Sequence, residues 1–232
     1  MAACIVLVLP VEYWYKTALR LTFLHRFICI RRHRNISTAF TRAGKLNSLL
    51  AYLTRANKPF PIPCTITGLE VLENKNRGTA FCTVHLPLAK VAISAVISNG
   101  YHIDAAIVAS PTADRLMSVW GITQKIPNIE SNKHSLLKAK TILHQNGSVL
   151  LMLDALYGEK YSPNIMHLAG KTSAQAIFFL AELNSSGIID IQILQFPNPY
   201  CENETAVAEN IQFVSDAVEK LLARYRNRSF WQ

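Results

Sequence analysis

The sequence predicts an α/β domain, a mostly parallel central sheet flanked by helices, with basic amphipathic helices ahead of it at the N-terminus. Three observations predict it. Beyond residue 59, short apolar runs suited to buried strands alternate with longer helical patterns. Half of the 232 residues are hydrophobic and 17% are charged, enough apolar material for a sizeable core and too little charge for intrinsic disorder. The formal charge of +9 is local: from Tyr13 to Leu69 there is no Asp or Glu, while Lys16, Arg20, Arg26, Arg31, Arg32, Arg34, Arg42, Lys45, Arg55 and Lys58 supply ten cations. The other 14 basic residues are matched by 15 acidic ones.

The chain therefore reads as two parts, a basic amphipathic helical segment that associates with membrane over 1–58 and an α/β domain over 59–232. In the first part Tyr13, Trp14, Phe23, Leu24, Phe27 and Ile28 lie among the cations. That mixture suits a membrane interface, where rings bury at the headgroup boundary and each Lys or Arg gains about 1 kcal/mol from anionic lipid. A helical hairpin packed on the domain, its arginines solvated, is the plainer reading of the same pattern. Nucleic acid is not an expected partner, because a phosphate-tracking surface leaves the interleaved apolar residues unexplained. A conventional spanning helix is not expected either, since Glu12, Lys16, Arg20 and Arg26 keep any apolar run short of 18 residues. Ala2 to Leu9 lacks the basic start and cleavage site of a secretion signal. Five cysteines, an odd number with no CxxC pair, read as reduced structural thiols rather than a disulfide framework or zinc ribbon.

Pro59, Pro61 and Pro63 stop the helix expected through Ser37 to Thr54 and mark the boundary. Thr79 to Val84 reads as a short buried strand, Ala89 to Ser98 as a helix ending at Asn99-Gly100, and Ile103 to Ala109 as a second strand. Asn132 to Gln145 is a helix stopped by Asn146-Gly147, followed by an aliphatic strand from Ser148 to Leu153. Lys171 to Leu183 reads as a helix, with Ala174, Ile177, Phe178 and Ala181 on one face and a Ser-Ser-Gly stop, and Ile188 to Gln195 as the next strand. From Thr205 to Tyr225, apolar residues at steps of three and four give a closing amphipathic helix.

The chemistry-bearing candidates stand at strand ends. His85 follows the strand within Thr83-Val84-His85-Leu86-Pro87, and an imidazole beyond the carboxyl end of an inner strand can take a proton near neutral pH. A histidine that only caps the turn is the plain alternative. Asp154 ends the strand Ser148 to Leu153 in the same way, and can equally be an ordinary turn residue. There is no GxGxxG, Walker loop, HExxH or GxSxG sequence. His102, His134, His144 and His167 have no ligand spacing, so no metal is expected.

In order, the basic apolar N-terminal segment with Arg31-Arg32-His33-Arg34, Ile66-Thr67-Gly68-Leu69-Glu70, the strand into Val84-His85-Leu86, Asp114-Arg115-Leu116, Gly147-Ser148-Val149 through Asp154, His167-Leu168-Ala169-Gly170-Lys171 and the aromatic ending Tyr225 to Trp231 resemble the lysophospholipid acyltransferase superfamily. Within it they are most similar to the lipid A biosynthesis lauroyl/myristoyl acyltransferases. The resemblance implies an acyltransferase-like fold and transfer of a fatty acyl chain from acyl carrier protein or acyl-CoA to a hydroxyl of a glycolipid or lysophospholipid. It also implies membrane lipid as partner and a peripheral place on the cytoplasmic face of the inner membrane. His85 would be the general base, Lys90, Arg115, Gly170 and Lys171 would contact substrate, and no cofactor would be needed. The family pattern places Asp or Glu after His-x4, where this chain has Lys90, and Pro87 is a further departure. Three readings follow. Asp154 supplies the missing carboxylate; or Lys90 binds an anionic headgroup or phosphopantetheine phosphate; or the chain is a catalytically inactive relative that holds lipid. A cation at position 90 would lower the imidazole pKa.

Overall fold

The computed structural model describes residues 43–44, 46–47, 63–72, 77–108, 126–132, 134–154 and 160–227. Most of the basic 1–58 segment and Arg115 lie outside the described residues. Residues 43–44 and 46–47 are helical, and there Ala43 and Leu46 are fully buried in the same apolar cluster as the sheet. The elements are β1 (Cys64–Thr67), a 3-10 turn (Leu69–Leu72), β2 (Thr79–Thr83), α1 (Ala89–Ser98), β3 (Ala105–Val108), β4 (Asn128–Glu130), α2 (Ser135–His144), β5 (Ser148–Met152), α3 (Asn164–Thr172), β6 (Gln175–Leu183), β7 (Ile189–Gln195) and α4 (Glu204–Asn227).

The fold is α/β, with one seven-stranded sheet in the order β1-β7-β6-β2-β5-β3-β4. All neighbours are parallel except β6 and β7. The connection from β2 through α1 to β3 steps over one strand in one direction, whereas those from β4 through α2 to β5 and from β5 through α3 to β6 step back. Right-handed crossovers then put α1 on one face of the sheet and α2 and α3 on the other. Contacts of α3 with both α2 and α4 agree with that placement. At the end of α4 the Tyr225 hydroxyl accepts the Leu183 N–H (2.9 Å), and Arg224 Nε–H donates to the buried Glu182 carboxylate (3.0 Å).

One element differs in kind from its sequence expectation. Residues 175–183, expected inside a helix over Lys171 to Leu183, are β6, and α3 ends just before them. All nine residues of β6 are buried. A strand covered on both faces is apolar at odd and even positions alike, so a helical spacing can always be picked out of it. The Ser-Ser-Gly stop is a hairpin turn instead. Gly187 has φ 81, and the Asn184 side-chain oxygen accepts the N–H of Ser186 and of Ile188, both at 3.0 Å. The short strands β1 and β4 and the helix α3 had no expectation in the sequence.

Candidate functional site

The site forms where β2 and β5 end side by side. Their parallel register pairs Thr83 with Met152, and the Leu153 N–H donates to the Thr83 carbonyl (2.8 Å). Extending that register two residues brings His85 opposite Asp154. From here the chain leaves β2 toward α1 on one face and β5 toward α3 on the other. The region beyond such diverging strand ends is the usual place for ligands in open α/β sheets.

Within it, the Asp154 Oδ1 atom accepts two hydrogen bonds, from the His85 backbone N–H (2.8 Å) and from the His85 ring at Nδ1 (3.0 Å). The Asp154 side chain is 3% exposed and the His85 ring 45%. An ionised carboxylate can only accept, so in the neutral ring Nδ1 carries the proton and Nε2 keeps its lone pair. The side-chain hydrogen bond to Asp154 raises the imidazole pKa above its ordinary 6.5; burial opposes the shift, and the aspartate charge adds to it. The lowering expected from Lys90 does not prevail.

The turn that carries His85 is tight. Leu86 N–H donates to the Val84 carbonyl (2.7 Å), and Leu88, fully buried at the head of α1, has φ 72. A left-handed leucine costs on the order of 1–3 kcal/mol, held here by its packing. Below the turn the buried Thr83 hydroxyl donates to the Phe179 carbonyl (2.9 Å) and is not left orphaned.

The other expected site residues are spread out. Lys90 is the second residue of α1, half-buried and near the turn. Gly170 and Lys171 lie in the last turn of α3, which leads into β6 at Gln175, the partner of Thr79. They therefore sit at the amino edge of β2, a strand's length of about 15 Å from the edge that carries His85. Gly170 is a packing residue: a Cβ there would meet the backbone carbonyl of Cys201. Gly170→Ala should destabilise the fold by about 1–3 kcal/mol, read as a lower midpoint in urea, with an unchanged KM for any substrate bound at His85. Lys171 is exposed.

Sequence reasoning missed Tyr161. The Ser162 N–H donates to the Leu153 carbonyl (2.6 Å), which lays the Tyr161 segment alongside the dyad. Burial, then the charges of Asp154 and Glu219, push its phenol pKa up, so it stays a protonated donor. No motif marks it; only the bond to the end of β5 brings it close. Asp104, by contrast, is structural: its Oδ2 accepts the Ser148 N–H (2.7 Å) and hydroxyl (3.0 Å) at the start of β5.

No protein-family model matches the chain, and no curated protein is similar to it. What the site can do must be read from its geometry. Among the described residues no three His, Cys, Asp or Glu side chains gather as a metal site, and no helix is long and apolar enough to cross a membrane.

Proposed function

We propose that the protein is an O-acyltransferase in which His85 and Asp154 form the base dyad. The observation that carries this reading is the half-exposed imidazole, held at Nδ1 by a buried aspartate, at the carboxyl edge of two central strands. Nε2 of His85 accepts the proton of the acceptor hydroxyl as its oxygen attacks the carbonyl carbon of a fatty acyl thioester. Asp154 keeps the ring in that tautomer and stabilises the imidazolium. Collapse of the tetrahedral intermediate breaks the C–S bond; the thiolate takes the proton from the imidazolium, leaving an ester and a thiol. The donor is acyl carrier protein or acyl-CoA, and the acceptor a hydroxyl of a glycolipid of lipid A type or of a lysophospholipid. On this reading the protein works at the cytoplasmic face of the inner membrane, peripherally bound. Asp154 takes the place of the carboxylate that the His-x4 pattern would put at Lys90.

A catalytically inactive, lipid-holding relative is the reading that Lys90 favours. A carboxylate within hydrogen-bonding reach of the ring argues for turnover, since a binding protein has no use for an oriented base. The test is to incubate the purified chain with acyl carrier protein and coenzyme A thioesters and hydroxyl-bearing lipids, following thiol release and ester formation together. No ester with any pair would exclude the transferase.

The pH profile follows from the dyad. A base must be neutral to work, so kcat/KM falls as pH drops through the raised imidazole pKa, and the acid limb should have its midpoint above 6.5. In Asp154→Asn the raising cause is gone and burial remains, so the midpoint moves to lower pH. A midpoint that stays put would show that the limb belongs to another group.

A further inference from the structure

Among the described residues, large apolar side chains stand in solvent at one place, the outer face of α2, where Leu136 is 37% and Leu137 is 64% exposed. Ser135, Ala139 and Leu143 turn inward, which leaves Leu137 near the centre of the outward face. Lys138 and Lys140 are exposed on the same helix, and from Ser131 to Leu153 there is no Asp or Glu. The helix starts five residues after β4 ends at Glu130. Its first turn, with both leucines, therefore lies at the carboxyl edge of the sheet, the edge of His85 and Asp154.

We propose that this face docks on the surface of an anionic lipid bilayer. Leu136 and Leu137 enter the headgroup boundary and Lys138 and Lys140 meet lipid phosphates. Charge selects the occupant. The segment from Tyr13 to Leu69, with ten cations and no acid, would be repelled from α2. A second copy docking the same face would set lysines against lysines. A purely polyanionic partner would leave two leucines in water, whereas a membrane interface takes both parts of the surface. The inference rests on the acyl-transfer reading for its purpose alone, since a bilayer is where a lipid acceptor would be met.

The test uses the full chain with Cys4, Cys29 and Cys64 changed to Ser, the buried Cys82 and Cys201 kept, and an environment-sensitive fluorophore attached through Leu137→Cys. Vesicles of phosphatidylcholine with phosphatidylglycerol should shift its emission to the blue, while pure phosphatidylcholine should leave it water-like. A control label through Ser98→Cys, on α1 at the opposite edge, should not shift. Lys138→Gln with Lys140→Gln should raise the lipid concentration needed for half of the shift about fivefold per lysine. A label at position 137 that stays water-like while the protein sediments with anionic vesicles would overturn the proposal. So would an equal shift on neutral vesicles, or a concentration-dependent shift without lipid, which would mean self-association. His85→Ala should leave the shift intact, so failure of the transferase reading and failure of the docking surface give separate results.

Discussion

Asp154→Asn should lower kcat for acyl transfer by about 10⁴-fold, by analogy with removal of the orienting carboxylate from a hydrolase triad. The substitution keeps the volume of the side chain and an oxygen to accept the His85 backbone N–H, so the turn stays formed. What goes is the charge that opposes the imidazolium and fixes Nδ1 as the protonated nitrogen. An asparagine amide can donate to Nδ1, placing the proton on Nε2 and leaving no lone pair toward the acceptor hydroxyl. His85→Ala should fall to a similar floor. Because the two act as a unit, the double variant should lose no more than His85→Ala alone. Rates of ester formation, with circular dichroism to verify the fold, make the comparison. Activity within tenfold of the parent in either single variant would remove the dyad from the mechanism, and additive losses would separate the two residues.

The largest effect on stability is expected at β6. Phe178→Ala should cost about 3–5 kcal/mol, the range for an aromatic side chain deleted from a core that relaxes only in part. Phe178 is completely buried, and its ring lies 5.9 Å from Phe196 and 6.5 Å from Phe213, which are themselves 5.7 Å apart. These three rings join β6, the loop after β7 and α4, so the cavity would open where α4 meets the sheet. Urea unfolding reads the loss directly. At this chain length it corresponds to a drop in Tm of about 6–20 °C. A loss below about 1 kcal/mol would mean that α4 does not seal the sheet at this point.

That same strand marks a limit of sequence reading. The residues 175–183 carry β-branched, aromatic and small side chains in an order that satisfies a helix face and a doubly covered strand equally. Burial on both faces erases the alternation that would separate them. In α2 and α4, by contrast, one face meets solvent and the periodicity survives, so their expected spans fall within a few residues of those observed; α1 is buried on nearly every side, and its end was legible from the Asn99-Gly100 stop. β1 and β4, at four and three residues, are too short to leave a pattern.

For the site, the chain by itself placed His85 and Asp154 each just past the end of an aliphatic strand, since strand ends are written in local composition and turn residues. It also located the cationic excess between Tyr13 and Leu69. It could not say that these two strands are neighbours. Sixty-nine residues separate the imidazole from its carboxylate, and only the pairing of β2 with β5, in the register that aligns Thr83 with Met152, makes them meet. The pairing of β2 with β6 puts Gly170 and Lys171 at the far edge, and the Ser162 bond to the end of β5 draws Tyr161 in. Local sequence determines where a strand stops; which strand lies beside it is decided by how the helices cover both faces of the sheet, a property of the folded chain as a whole.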